Sequence, residues 1–283
     1  MTLRFIDEPD AAAPIGVFDS GVGGLTVLAA LRHQLPQENF IYLGDTARLP
    51  YGTKSPETVV RYALQSSALL IDAGVKALIV ACNTASAVAL PTLRERFAPI
   101  PVIGVIEPGA QAAVRASRTS CIAVLATEGT VQGGAYQREI LRLAPKAQVK
   151  AAAGQILVSL AEEGWTEGPL AESIAQRYLV SLLTPQTDVL VLGCTHFPLL
   201  SVTLAQVAGP RVQLVDSART TAKTTAIILL EKNLLALNER PYTKFWVTDA
   251  PERFARVGGR FLGESIDSAS LRWVDLQNQT GKL

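Results

Sequence analysis

Cysteine, histidine and methionine are scarce in this chain, with three, two and one among 283 residues. There is no C-x-x-C pair and no usual zinc spacing, so neither a redox dithiol nor a zinc-held fold is expected. Charge of one sign is lacking too. With 26 basic and 25 acidic side chains the net charge is +1, which gives no electrostatic footprint for nucleic acid. No apolar run reaches the roughly 18 residues of a membrane span. The first residues, MTLRFIDEPDAAAP, carry Asp7, Glu8 and Asp10 and show no basic-then-apolar export pattern. A cytoplasmic location with free thiols is therefore expected. Nucleotide motifs are incomplete: in DSGVGGLTVL, Gly21 and Gly23 are followed by Thr26 where a dinucleotide loop needs its third glycine. No Gly-Lys-Ser/Thr follows, and Asp19 at the entrance would repel phosphate. Nothing marks a lysine Schiff base with a phosphate cradle, as pyridoxal phosphate would require.

The chain does have apolar residues in quantity: at 48% hydrophobic it can bury a full core. Short apolar, β-branched runs predict strands at Ile15–Phe18, Phe40–Leu43, Ala77–Ala81, Val102–Ile106, Cys121–Leu125, Val189–Leu192 and Val212–Val215. Helical spacing separates them at Leu25–Gln34, Glu57–Ala73 and Ala85–Phe97. Continuous apolar strands alternating with helices indicate an α/β fold with mostly parallel, doubly wound sheets. A weak repeat points to two similar halves. GVFDSGVGG (Gly16 to Gly24) resembles AVLATEGTVQGG (Ala123 to Gly134), each an apolar run, a hydroxyl residue and a glycine-rich turn.

Two further stretches match each other in the same way. LIVACNTASA and VLVLGCTHFP each run apolar and then turn small and polar at a cysteine, Cys82 and Cys194. In parallel sheets, ligands bind beyond the carboxyl ends of the strands. Halves facing each other across a cleft would set two thiols on opposite sides of one molecule. Inverting a stereocentre by proton transfer needs that arrangement, with a base on one face of the carbon and an acid on the other. A thiol of ordinary pKa ~8.5 is readily tuned for either task. Asn83, Thr84 and Thr195, beside the cysteines, are candidate donors to the charge that develops. A metal set of Cys82, Cys194, His196 and Asp19 is disfavoured by its spacing. Cys121, opening the run CIAVLA, is expected to fill core.

DSGVGG, LGDTARLPYG, ACNTAS, ATEGT and GCTHFPLL together resemble the glutamate racemases, from about Ile15 to about Asp216. The resemblance implies a cofactor-independent, metal-free enzyme that interconverts L- and D-glutamate and supplies D-glutamate for bacterial peptidoglycan. It implies two similar α/β domains facing each other across a cleft, residues 1–107 with 218–283 and residues 108–217, and a homodimer. Carried over position by position, Cys82 is the base toward D-glutamate and Cys194 the base toward L-glutamate, assisted by Asp19 and His196. Ser20, Tyr51, Gly52, Asn83, Thr84, Thr127 and Thr195 match substrate contacts, as do Asp19 and His196. Glu162 falls where the family often has a functional glutamate, with Ser159 in place of a frequent proline. Aspartate racemases share the paired-cysteine logic and are the nearest alternative. A two-domain protein that only binds a small anion is another, although it would have no use for the thiols.

Overall fold

The structure is a computed structural model that describes residues 9–276; the outermost parts of the expected first domain, residues 1–8 and 277–283, lie outside the described residues. Among the described residues there are ten strands: β1 (Ile15–Asp19), β2 (Phe40–Gly44), β3 (Ala77–Val80), β4 (Val102–Gly104), β5 (Cys121–Ala126), β6 (Gln148–Ala153), β7 (Val189–Gly193), β8 (Gln213–Asp216), β9 (Thr243–Val247) and β10 (Arg272–Trp273). They form two wholly parallel sheets, ordered β10-β9-β2-β1-β3-β4 and β6-β5-β7-β8. The order β2-β1-β3-β4 repeats in the second sheet as β6-β5-β7-β8. The weak sequence repeat is thus a repeat of topology. β1 and β5, whose ends carry Ser20 and Thr127, are inner strands, and the cysteine-bearing β3 and β7 each lie directly beside them.

β1 to β5 and β7 are buried on both faces, which is why they read as continuous apolar runs. Side chains on β1 alternate between two cores: Ile15 and Val17 pack in one, Phe18 in the other. The first of these cores continues through the second sheet, so one apolar interior joins both halves. Helix Ser217–Glu231 packs against helices Leu25–Gln34 and Ile106–Ala116, and β9 and β10 extend the first sheet beside β2. Helix Leu25–Gln34 has the predicted limits. Helix Pro56–Asp72 starts one residue earlier than expected, with Pro56 in its first turn and the Ser55 hydroxyl capping the Thr58 N–H.

Three differences from the expectations have physical causes. The predicted helix Ala85–Phe97 is two helices, Asn83–Val88 and Leu90–Arg96. Pro91 has no N–H to donate back to residue 87, so the first helix stops and Pro91 sits in the first turn of the next one. The run Val102–Ile106 is strand only to Gly104, because a new helix begins at Ile106. β6, β9 and β10 were not expected. β6 is an alanine-rich edge strand with half-exposed positions, and β10 is a two-residue edge.

Candidate active site

The carboxyl ends of β1, β3, β5 and β7 converge on one narrow cleft of about 40 Å³. Cys82 follows β3 as the residue before helix Asn83–Val88, and Cys194 follows β7. Both line the cleft and both are 5% exposed. The same wall includes Ser20, Tyr51, Gly52, Asn83, Thr84, Thr127, Thr195 and His196, so nearly every residue singled out from the sequence is brought together. Asp19 ends β1 directly behind Ser20, and Glu162 stands behind His196. Cys121 sits at the opposite, amino end of β5, buried as expected for a core thiol.

The two thiols have unlike surroundings. Cys82 Sγ donates to Ser20 Oγ at 3.7 Å. Burial, reinforced by the nearby Asp19 carboxylate, pushes this thiol up to about 12; the Ala85 N–H and Ser20 offset it only in part. Asp19 accepts from the Gly21 N–H at 2.9 Å through Oδ2, while its buried Oδ1 has no partner. Burial raises the Asp19 pKa against the opposing pull of His196. Cys194 Sγ instead lies 3.8 Å from His196 Nδ1, and His196 Nε2 lies 3.1 Å from Glu162 Oε1. Burial works against a charged His196 ring. Hydrogen bonds to Cys194 and Glu162 outweigh it and bring the ring to about 10. The bond to His196 and the Arg253 guanidinium, 2.8 Å from Oε2, hold Glu162 down at about 2.

Donors line the space between the thiols. Asn83 Oδ1 is taken by the Tyr136 hydroxyl at 2.9 Å, which leaves the buried Nδ2 without a partner. A free amide donor in a closed cleft is a place for a substrate oxygen. Thr84, Thr127 and Thr130 form a ring of hydroxyls at 2.9–3.3 Å, with Thr84 from the first half and the other two from the second. The Tyr51 hydroxyl donates to buried Asp45, so this ring shapes the wall rather than offering a free donor.

Glycine has a definite part here. A Cβ on Gly23 would come within 2.3 Å of Thr195 Oγ1 and 2.5 Å of His196 Nδ1, and one on Gly52 within 2.9 Å of Thr127 Cβ. The glycine-rich loop is therefore what lets the first half rest directly on the His196 ring. Gln155, Val158 and Pro50 also line the cleft, and the sequence reading did not single them out. Gln155 and Val158 follow β6. That strand is a half-exposed edge without an apolar run, so its carboxyl end carries no signal in the sequence. Among the described residues, no three His, Cys, Asp or Glu side chains are grouped to hold a metal ion.

The family model described as Asp/Glu/Hydantoin racemase matches residues 22–225. The chain belongs to this racemase family. A glutamate racemase of Geobacter metallireducens is 50% identical over 253 residues, covering 89% of this chain and 93% of the relative. The crystal structure of glutamate racemase from Francisella tularensis in complex with D-glutamate superposes with a TM-score of 0.89 at 38% identity, covering 95% of this chain and 99% of that one. A Thermus thermophilus glutamate racemase in complex with β-chloro-D-alanine gives a TM-score of 0.86 at 44% identity, with the same coverage. Both racemase structures share the two-sheet α/β architecture.

Proposed function

We propose that this chain interconverts L- and D-glutamate without a cofactor, passing protons between two thiols, and thereby supplies D-glutamate for bacterial peptidoglycan. The observation that carries this reading is the pairing of Cys82 and Cys194 in one cleft, each at a strand end beside its own polar partner. The activity of the relatives supports glutamate as the substrate.

With L-glutamate, the Cys194 thiolate takes the α-proton and the Cys82 thiol gives its own proton to the opposite face. The electron pair left on the α-carbon spreads into the α-carboxylate until Cys82 delivers. D-glutamate leaves, and the two thiols have exchanged protonation states; the reverse reaction restores them. Each positioned acid or base contributes about 10²–10⁴-fold. Asn83 Nδ2, Ser20, Thr84 and Thr195 are assigned to the substrate's carboxylate oxygens, where donors fixed in advance stabilise developing charge. The unpartnered Asp19 Oδ1 is assigned to the ammonium. Tyr51, Gly52 and Thr127 complete the contact surface, with Asp19 and His196 assisting Cys82 and Cys194 respectively.

The cleft is read as the seam between two domains, residues 1–107 with 218–283 and residues 108–217. The working form is read as a cytoplasmic homodimer with one complete site per chain.

Racemisation in deuterium oxide tests the proposal. Either glutamate enantiomer is expected to lose its circular dichroism signal without added pyridoxal phosphate or metal, and the product is expected to carry deuterium at the α-carbon by proton NMR. Loss of signal with aspartate but not glutamate would overturn the substrate assignment.

A further inference from the structure

Behind the cleft, a line of charge runs from the protein surface to one thiol and not to the other. Arg253, on helix Pro251–Leu262, places Nη2 2.8 Å from Glu162 Oε2. Arg260, two turns further along the same face of that helix, donates to the Glu162 backbone carbonyl at 2.8 Å. Glu162 Oε1 faces His196 Nε2 at 3.1 Å, and His196 Nδ1 faces Cys194 Sγ at 3.8 Å. Phe261 of that helix packs edge-on against the imidazole at 5.0 Å, fixing its plane. Arg253 does not line the cleft.

We propose that Arg253, acting through Glu162 and His196, sets the resting protonation of the site: Cys194 a thiolate paired with an imidazolium, Cys82 a thiol. The proposal rests on the reading of both cysteines as the acid and base. A carboxylate held by an arginine has no proton to give, so the Nε2 facing it carries one. Nδ1 then either accepts from the Cys194 thiol or, having taken that proton, donates to its thiolate. The Glu162 charge 3.1 Å from the ring favours the second arrangement, because it stabilises a positive imidazole. Against the cost of burial, the hydrogen bonds to Cys194 first and to Glu162 second raise His196, to about 10.

Cys82 meets the reverse conditions. Its sulfur donates to Ser20 Oγ, and the nearest strong charge is the Asp19 carboxylate, which opposes ionisation. The titratable groups that bear on His196 and Cys194 are Glu162 from helix Gln155–Glu163, Asp19 from the end of β1, Tyr136 from helix Ala135–Leu143 and Cys82 across the cleft. Asp19 also favours a positive imidazole, and neither tyrosine nor thiol contributes charge near neutrality.

The free enzyme then meets L-glutamate with its base ready, whereas D-glutamate must wait for a proton to cross from Cys82 to Cys194. Two enantiomers have equal free energy, so kcat/KM is the same in both directions. The asymmetry is confined to kcat and KM taken singly, and to the chemistry of the thiols themselves.

Thiol labelling reads it directly. Iodoacetamide reacts with the thiolate, sulfur displacing iodide, and peptide mass spectrometry resolves the three cysteines. The midpoint pH of each labelling curve does not depend on how accessible the sulfur is. In the wild-type protein Cys194 is expected to label at lower pH than Cys82. Arg253→Met is expected to raise the Cys194 midpoint, lowering its thiolate fraction near that midpoint roughly two- to fivefold, as suits a partly exposed ion pair. Arg253→Lys should recover most of the shift, Glu162→Gln should exceed it, and the Cys82 midpoint should stay in place. A Cys194 midpoint above that of Cys82, or one that Arg253→Met leaves unmoved, would overturn the proposal. Labelling needs no turnover, so it succeeds or fails independently of the racemase reading.

Discussion

Gly23→Ala is the most incisive single change to the cleft, because it adds one methyl group and no charge. The alanine Cβ would stand 2.3 Å from Thr195 Oγ1, 2.5 Å from His196 Nδ1 and 2.6 Å from His196 Cε1. Ordinary contacts begin near 3.4 Å, so the ring and the hydroxyl must retreat by about 1 Å. Phe261 packs edge-on against the imidazole, and Glu162 holds its Nε2, so the ring cannot slide away freely. Overpacking of this kind costs about 1–3 kcal/mol of stability. The cost to turnover is larger, because a catalytic group misplaced by about 1 Å loses on the order of 10²-fold. Gly21→Ala in the same loop is the control: its nearest new neighbour is Leu49 Cδ2 at 3.5 Å, an ordinary contact. Initial rates by polarimetry with each enantiomer, alongside urea unfolding, separate the two costs. Gly23→Ala turning over within about threefold of Gly21→Ala would refute the reasoning.

The remaining tests are shorter. Lys76 and Glu38 form a fully buried ion pair at 2.5 Å, and Glu38 also accepts from the Ala236 N–H at 2.8 Å. Lys76→Met leaves that carboxylate uncompensated and is expected to cost about 3–5 kcal/mol in urea denaturation, while Lys76→Met with Glu38→Leu recovers much of it. A double variant less stable than the single one would contradict this. The loss of stability in Glu162→Gln should depend on pH. Glu162 is held down from 4.5 to about 2, so its contribution is present above the unfolded value of 4.5 and fades as pH falls toward 2. The difference from wild type, measured by urea denaturation, is therefore expected to shrink steadily below about pH 4.5; a difference that grew on acidification would reverse the assigned direction.

How much of this was legible in the sequence follows from where each residue sits. β1, β3, β5 and β7 lie inside their sheets, so they are apolar throughout and announce themselves. Their carboxyl ends turn abruptly polar, and that contrast exposed Cys82, Asn83, Cys194 and His196. β6 escaped because an edge strand exposed on one side needs no apolar run: QVKAAA reads as nothing in particular. Losing β6 meant losing Gln155 and Val158 with it. Arg253 was beyond reach for a different reason. It lies 91 positions from Glu162, and only the fold brings the pair together. The contact of Gly23 with His196 likewise depends on three-dimensional approach, although the glycines themselves were conspicuous.

The central claim is that one cleft uses two thiols as interchangeable acid and base, and the most direct measurement is glutamate racemisation by three single-cysteine variants. Cys82→Ala and Cys194→Ala are each expected to abolish it while remaining folded, because a missing acid stops the reaction as surely as a missing base. Cys121→Ala, altering a thiol at the far end of β5, is expected to turn over close to wild type. Full racemisation by either Cys82→Ala or Cys194→Ala would contradict the account.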